Sequence, residues 1–284
     1  MKTLKAKQFD LEATLNSGQT FNWIREGKGY ICSDNGQVVY VEQNGNKLLY
    51  ESSHRQANLK ESFRLDDPLL EIQQEIAKDQ FICDSIRFSP DLRIVRNPFY
   101  PCLISFICSI RKNIPTIRGL MQSFREMYGP QYEFRGRTYY GFPAPEQVAQ
   151  ASVQELRSLG LGWRAKFVSE ATAAIVKEEV VEKELVKMKY EEAHRTLKTL
   201  HGVGNKVADC ICLLSLGFLE AFPIDIWIER AIQERYDIFT KTGKSYRKKS
   251  EAARSYFGRY AGYAQEYLFN YTRLRRITTL SSST

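Results

Sequence analysis

The sequence has few of the residues that build metal centres and disulfide frameworks. Among 284 residues there are three histidines and six cysteines. No two cysteines have the C-x-x-C spacing of a zinc site, and no histidines stand at metal-ligand spacing. Neither a zinc centre nor a disulfide framework is therefore indicated, and the sequence points to no histidine general base.

Long apolar runs are missing as well. No stretch approaches the roughly 20 residues that a membrane-spanning helix needs, and the N-terminal MKTLKAKQFD contains no signal-peptide core. We therefore expect a cytoplasmic protein with no membrane partner. A composition of 43% hydrophobic and 26% charged residues is typical of a soluble chain, and the length suffices for one large core or two modest ones.

Positive charge is present in excess and is unevenly distributed. The formal net charge is +8, and residues 241–276 alone contain ten Lys or Arg against two Glu. Aromatic residues are interleaved with this charge. The combination favours a polyanionic partner such as nucleic acid, although a solvated basic face would have the same composition.

Turn signals mark the N-terminal part of the chain as a sheet. Apolar residues alternate around two glycine-containing turn sequences at 34–36 and 44–46, which are typical of β-hairpins. The pattern predicts antiparallel strands in this part of the chain.

Helical periodicity dominates the rest of the chain. A cap residue followed by proline predicts a helix over about 67–81, and beyond residue 98 nearly every segment has helical period. The sequence predicts an α+β fold with a β-rich domain at 1–90 and an α-helical domain at 91–284, the latter containing a helical hairpin at 189–216.

The hairpin contains two closely spaced glycines. Gly202 and Gly204 lie between predicted helices at 189–199 and 206–216. Glycines permit a tight turn and a close backbone approach to a ligand, and the start of the second helix offers free N–H groups to a phosphate. An ordinary turn between two helices is the alternative, because short glycine motifs often occur by chance.

A lysine and a carboxylate flank this turn. Lys206 lies in the first turn of the second helix, where the helix dipole disfavours a cation, and a neutral amine is what a Schiff-base nucleophile needs. Asp225 follows a proline and should be the N-cap of the next helix. Cys210 lies one turn beyond Lys206 on the same face. Taken singly, the lysine could be solvated and the aspartate only a cap.

Several motifs together resemble one enzyme family. The runs GVGNKVADCICL, AFPIDIW and YAGYAQEYLF, with LNSGQTFNW, ISFICS, YYGFP and LGLGWRAKFV, are similar to those of the eukaryotic-type 8-oxoguanine DNA glycosylases of the helix-hairpin-helix superfamily. The resemblance implies a twisted antiparallel sheet like that of the TATA-binding protein beside a helical glycosylase domain. No cysteine follows Cys212, so the iron–sulfur loop of enzymes resembling endonuclease III is absent.

The resemblance also implies an activity. The protein would flip 8-oxoguanine out of double-stranded DNA, excise it through a Schiff base on Lys206, and nick the strand by β-elimination, with Asp225 stabilising the positive charge on the sugar. It would require no cofactor and act as a monomer. It would be associated with the nucleoid in a prokaryotic cell or lie in the nucleus of a eukaryotic one. A glycosylase for other damaged purines and a non-catalytic DNA-binding protein are the alternatives.

The base pocket implied by the resemblance draws on both ends of the chain. Phe269 and Cys210 match the residues that contact the two faces of the base, and Gln265 matches the amide that pairs with its Watson–Crick edge. Gly18 matches the glycine whose carbonyl accepts the N7–H of 8-oxoguanine. Guanine has a bare acceptor at N7, so this one contact could distinguish the two bases.

The implied DNA contacts depart from the family pattern on the strand opposite the lesion. The matching positions are Arg111, Asn113, Trp163, Arg164, Gly202, Gly204 and Trp227. Arg111 stands where the family has an asparagine that fills the vacated stack, and Thr116 replaces an arginine that contacts the orphan cytosine. We expect a weaker preference for cytosine opposite the lesion, since a bidentate donor set is worth roughly 1–3 kcal/mol. Trp163 replaces a tyrosine wedge, and Trp227 replaces a histidine.

A cation at the hairpin is the last feature that the resemblance implies. In the family, backbone carbonyls of the hairpin hold a metal ion that bridges to a DNA phosphate. The matching positions are Lys198, Leu200 and Val203. We expect a structural monovalent or divalent cation there.

Overall fold

A computed structural model describes residues 1–34 and 36–281. Asn35, in the first turn signal, and residues 282–284, at the end of the predicted helical domain, lie outside the described residues. Seven strands are present: β1 Lys2–Lys5, β2 Ile24–Glu26, β3 Gly29–Cys32, β4 Val39–Asn44, β5 Lys47–Ser52, β6 Gln131–Phe134 and β7 Arg137–Tyr140.

The first five strands form one antiparallel sheet in the order β1-β5-β4-β3-β2. Asn44 pairs with Lys47, so β4 and β5 are joined by a two-residue turn, and Gly45 has the positive φ of 55° that such turns require. One face of the sheet buries Val41 and Leu48 against Phe63 and other apolar residues. The predicted antiparallel sheet is confirmed.

Fifteen α-helices in the described chain account for most of the remaining structure. They are α1 Leu11–Asn16, α2 Leu59–Ser62, α3 Leu69–Ile76, α4 Gln80–Phe88, α5 Phe99–Cys108, α6 Ile114–Tyr128, α7 Pro145–Val148, α8 Val153–Leu156, α9 Arg164–Val176, α10 Glu182–Leu185, α11 Tyr190–Leu197, α12 Asn205–Ile211, α13 Ile226–Arg235, α14 Tyr246–Phe257 and α15 Ala261–Ser281. Short π-helical turns cover Arg157–Leu161 and Cys212–Leu216. The predicted α+β fold is confirmed. Among the described helices, none is both long and apolar enough to cross a membrane.

Two details differ from the sequence prediction. The helix predicted at 67–81 is two helices, because the chain leaves α3 at Ala77 and Asp79 then caps α4 by accepting from the N–H groups of Phe81 and Ile82. The part predicted to be helical also contains the hairpin β6–β7, whose Phe134 packs with Ile31 and other residues of the sheet. This hairpin closes at two positive-φ residues, Arg135 and Gly136.

The segment that follows α1 is tied to the strand-like stretch before α5. The buried Gln19 side chain donates to the carbonyl of Arg93 (2.8 Å) and accepts from the N–H of Val95 (2.7 Å). The amide of Asn97 donates to the Gln19 carbonyl (2.9 Å). These bonds fix the position of residues 17–19 immediately beside the helical part of the chain.

Candidate active site

The hairpin between α11 and α12 uses its two glycines differently. Gly202 has a φ of +87°, and a Cβ there would lie 2.6 Å from the Cβ of Phe167, so glycine is required by the fold itself. Gly204 is the N-cap of α12 with a φ of −88°, and a Cβ there would point into open space. Nothing within the described chain demands glycine at 204, which is consistent with a surface that a ligand backbone approaches.

Lys206 is the second residue of α12, and its amine lies over the end of α5. The Nζ atom donates to the Ser109 hydroxyl (3.1 Å), and that hydroxyl donates in turn to the carbonyl of Phe106 (2.7 Å). The same Nζ lies 5.0 Å from the centroid of the Phe106 ring. Ser109 and Phe106 therefore orient the amine. Both belong to the ISFICS motif, which was the only sequence signal for them.

Asp225 is the N-cap of α13, as expected. Its carboxylate accepts from the N–H groups of Trp227 and Ile228, both at 2.9 Å. Burial raises the pKa of Asp225, while these N–H groups and the charge of Lys206 act in the opposite direction. The helix terminus thus holds the carboxylate within electrostatic reach of the Lys206 amine, in a partly desolvated setting where electrostatic interactions are strong.

A buried polar network connects the helix of Lys206 to the loop before Asp225. Asp209, fully buried in α12, accepts from the hydroxyls of Tyr190 and Tyr246, the latter at 2.6 Å. The Tyr246 hydroxyl also accepts from the N–H of Ile224 (3.0 Å). Burial raises the pKa of Asp209, and both tyrosine hydroxyls lower it. Sequence reasoning missed this network, because its members lie on three separate segments and show no local pattern.

The two ends of the chain meet at the candidate base pocket. Gly18 has a φ of +100°, and a Cβ there would lie 3.3 Å from the ring of Phe269 and 2.9 Å from the side chain of Ile114. The contact with Phe269 joins the N-terminal segment to α15. Gln265 is buried and lies one helical turn before Phe269, and within the described residues its side-chain amide has no hydrogen-bond partner. The amide is therefore available to a ligand.

Cys210 and Glu266 connect this pocket to the Lys206 side of the site. Burial raises the pKa of Cys210 to about 12, and its thiol lies within the electrostatic reach of Lys206, Asp225 and Glu266. The thiol is therefore neutral and polarisable at neutral pH. Glu266 follows Gln265 in α15 and is 4% exposed, and burial raises the pKa of its carboxyl to about 7. Glu266 was not predicted from the sequence.

The residues predicted to contact the opposite strand lie in different environments. Trp163 is 48% exposed. Arg111 is exposed with a φ of +54°. Arg164, in contrast, is buried, and its Nε donates to the carbonyl of Ile110 (2.9 Å). Trp163 and Arg111 are thus accessible from solvent, whereas the guanidinium of Arg164 is engaged with a backbone carbonyl.

The remaining predicted DNA contacts have local structural partners. Asn113 is the N-cap of α6 and accepts from the N–H (3.0 Å) and the hydroxyl (2.6 Å) of Thr116. The Trp227 ring lies 5.1 Å below the guanidinium of Arg230. Neither placement tests a role in DNA binding.

The possible cation ligands at the hairpin are backbone carbonyl oxygens rather than side chains. Residues 198–204 line a shallow concavity. Within the described residues the carbonyls of Lys198 and Val203 accept no hydrogen bond, and that of Leu200 accepts only from the N–H of Val203 (3.0 Å). Among all the residues that the structure describes, no group of three or more His, Cys, Asp or Glu side chains could hold a metal ion.

Comparison with known protein families gives a consistent result over residues 2–256. Residues 2–103 match the family described as 8-oxoguanine DNA glycosylase, N-terminal domain. Residues 104–256 match the HhH-GPD superfamily of base excision DNA repair proteins.

Individual relatives and solved structures agree. A probable N-glycosylase/DNA lyase of Methanothermobacter thermautotrophicus is 34% identical over 203 residues, which cover 64% of this chain and 63% of that relative. The structure of MBOgg1 with a low-affinity DNA ligand matches with a TM-score of 0.90 at 30% identity, over 96% of this chain and 95% of the other. The Clostridium acetobutylicum 8-oxoguanine glycosylase/lyase, solved with duplex DNA containing cytosine opposite 8-oxoguanine, matches with a TM-score of 0.89 at 28% identity, over 97% and 99%.

Proposed function

This chain belongs to the HhH-GPD superfamily of base excision DNA repair proteins, and from that membership we propose that it excises 8-oxoguanine from duplex DNA and then nicks the strand at the abasic site. The observation that carries the proposal is the meeting of Gly18 with Phe269 in a pocket that Cys210 links to Lys206 and Asp225. Similarity to enzymes named as N-glycosylase/DNA lyases supports it.

Lys206 is the proposed nucleophile. Its amine attacks C1′ of the flipped nucleotide, the bond from C1′ to the base nitrogen breaks, and the departing base takes the electron pair and a proton from the amine. The sugar ring opens to a Schiff base between Nζ and C1′. Loss of a proton from C2′ then expels the 3′ phosphate. The hydrogen bond to Ser109 supports this role, because it holds the amine at a defined position before the attack.

Asp225 is the proposed electrostatic partner. Positive charge develops on the sugar as the base leaves, and a fixed carboxylate near that position stabilises it without reorganising in the transition state. The two N–H groups of α13 hold the carboxylate. The network of Asp209 and Tyr246 supports the loop on which Asp225 stands.

Recognition is proposed to take place in the pocket at the other end of the site. A base stacked on Phe269 would present its Watson–Crick edge to Gln265 and its N7–H to the carbonyl of Gly18, while Cys210 contacts the opposite face. A damaged base must leave the stack to reach such a pocket. Guanine, lacking the N7–H, would place two acceptors face to face.

We also propose a relaxed preference for the base opposite the lesion. Thr116 bonds to Asn113 and is too short to replace a bidentate arginine, while Arg164 already bonds to a backbone carbonyl. Arg111 and Trp163 would fill the gap that the flipped nucleotide leaves. Rates of excision opposite each of the four bases, measured in single turnover, test this. A preference for cytosine opposite the lesion as strong as that of the eukaryotic-type enzymes contradicts it.

Three further properties belong to the proposal. The carbonyls of Lys198, Leu200 and Val203 would hold a structural cation that supplies positive charge to a DNA phosphate. The protein would act as a monomer, since one chain contains every proposed catalytic and base-binding residue. It would work where the DNA is, at the nucleoid or in the nucleus.

Borohydride trapping tests the proposed chemistry directly. The protein is incubated with a duplex containing one 8-oxoguanine in the presence of sodium borohydride, which reduces a Schiff base to a stable adduct. We expect the wild-type protein to form a covalent DNA adduct and Lys206→Gln to form none. Lys189→Gln removes a charge from an exposed lysine at the start of the same hairpin and should trap normally. An adduct with Lys206→Gln, or strand nicking without any adduct in the wild type, contradicts the assignment.

A further inference from the structure

Two helix faces enclose the segment that leads into Gly18. On α15, Glu266, Phe269 and Arg273 are spaced by three and four residues and therefore share one face. On α6, Ile114 and Arg118 are one turn apart and share another. Residues 15–18 lie between these two faces.

Two of the three residues before Gly18 are bonded to these faces. Arg118 donates through Nη2 to the Leu15 carbonyl and to the Asn16 side-chain oxygen, both at 3.1 Å. Arg273 donates through Nη2 to the Asn16 carbonyl (2.9 Å). The Ser17 hydroxyl donates to the carbonyl of Thr14 and accepts from the side-chain amide of Gln19, both at 3.0 Å.

The same side chains also contact the base pocket. The Arg273 guanidinium lies 5.7 Å from the centroid of the Phe269 ring, and Glu266 directly follows Gln265 in the chain. Ile114, one turn from Arg118, touches Gly18. One set of side chains therefore connects the Gly18 segment, the stacking ring and the helix of the pairing amide.

Stability alone does not account for these charged groups. Within the described residues the Nε atoms of Arg118 and Arg273 and the Oε1 atom of Glu266 are buried without hydrogen-bond partners, and burial lowers the pKa of both guanidiniums. Buried charged groups with unsatisfied atoms are costly, and apolar side chains of similar volume are often equally stable in their place. What the charged groups add is fixed geometry, since each guanidinium donates to a defined backbone oxygen.

We propose that Arg118 and Arg273 are positioning residues that hold Leu15 and Asn16 between α6 and α15 and thereby fix the carbonyl of Gly18 for recognition of the lesion. The inference rests on the proposed role of Gly18 in the base pocket. It assigns lesion discrimination to side chains that do not touch the base. It also separates recognition from chemistry. Nicking of an abasic site requires Lys206 but no contact with a base.

The test compares two activities of the same variants. Arg118→Met and Arg273→Met keep an unbranched apolar stem and remove the guanidinium with its donors. Each is assayed in single turnover on a duplex containing 8-oxoguanine and on the same duplex containing an abasic site. We expect excision of 8-oxoguanine to fall at least tenfold, the equivalent of about 1.4 kcal/mol and of one well-placed hydrogen bond. Nicking of the abasic duplex should stay within about twofold for Arg118→Met, which lies on the helix remote from Asp225.

A second measurement needs no substrate. Amide hydrogen exchange of residues 14–19 should be faster in both variants than in the wild type, because their anchoring bonds are lost. Arg259→Met is the matched control, since it removes an arginine that pairs with Glu75 on the surface, and it should change neither activity nor exchange in this segment.

The outcomes separate the two proposals. In Arg118→Met, an equal fall of excision and nicking would mean that the arginine only supports the fold. In either variant, unchanged excision or unchanged exchange would mean that the arginine does not fix Gly18. Any of these results overturns the inference. If the wild-type protein does not excise 8-oxoguanine, the proposed function fails, and the exchange measurement still decides whether the segment is held as described.

Discussion

Glu266 should make the stability of this protein depend on pH near neutrality. Its carboxyl is 4% exposed, and burial raises its pKa from 4.5 to about 7. The folded protein therefore binds the proton more tightly than the unfolded chain does. The stabilisation is complete below the unfolded pKa and is lost as the pH rises through the folded one.

The size of the effect follows from the two pKa values. Relative to a protein whose Glu266 stays protonated in both states, the free energy of unfolding is lower by about 1 kcal/mol at pH 5 and by about 3 kcal/mol at pH 8. This group alone should therefore reduce stability by about 2 kcal/mol between these pH values. Glu266→Gln keeps the shape and cannot ionise, so it should lack this part of the pH dependence.

Urea denaturation at pH 5, 6, 7 and 8 measures the difference between the two proteins. Asp209 and Asp225, whose pKa values burial also raises, titrate in both, so their contributions largely cancel. Glu251→Gln serves as the control, because Glu251 is an exposed residue of α14 paired with Arg247, and it should keep the wild-type slope. Parallel curves for the wild type and Glu266→Gln would refute the reasoning.

Four other substitutions give distinct expected results. Gly202→Ala should lower the free energy of unfolding by about 2–4 kcal/mol in urea denaturation, since it strains a positive φ and meets the Phe167 side chain. Gly204→Ala should unfold like the wild type but bind duplex DNA more weakly in fluorescence anisotropy. If Gly202→Ala and Gly204→Ala lowered the free energy of unfolding equally, the different roles assigned to the two glycines would be wrong. Trp163→Ala should weaken binding of the 8-oxoguanine duplex in the same assay by about 1–3 kcal/mol with little change in unfolding, because the ring is half exposed; unaltered affinity argues against a wedge. Tyr246→Phe should slow nicking of abasic DNA at least tenfold in single turnover, since the loop before α13 loses the hydrogen bond from the N–H of Ile224 to the Tyr246 hydroxyl. A wild-type rate would show that this hydrogen bond does not position the loop.

The parts of the fold that could be predicted depend on local sequence. The turn at 44–46, the glycines at 202 and 204 and the cap at Asp225 are each specified by a few adjacent residues, and the structure contains all of them. The hairpin β6–β7 escaped prediction because its strands are four residues each and lie among helices. Its stability comes from packing on a distant sheet rather than from its own pattern.

The candidate site also has one part specified by neighbouring residues and one part specified by long-range contacts. The catalytic side is built from two helix starts whose residues Lys206 and Asp225 are 19 positions apart, so the glycine turn, Lys206 and Asp225 could be identified together. The recognition side depends on bonds between residues far apart: 103 positions separate Arg118 from Leu15, and 257 separate Arg273 from Asn16. No periodicity or spacing can indicate such pairs.

Structural damage should affect lesion recognition and the chemistry at Lys206 differently. Lys206 and Asp225 keep their geometry as long as α12 and α13 remain helical and the Asp209 network is intact. Gly18 keeps its geometry only while the N-terminal segment remains docked between α6 and α15. Because long-range docking is more easily disturbed than a helix terminus, damage to the contact between the sheet and the helices should remove lesion recognition first and leave an enzyme that still nicks abasic DNA.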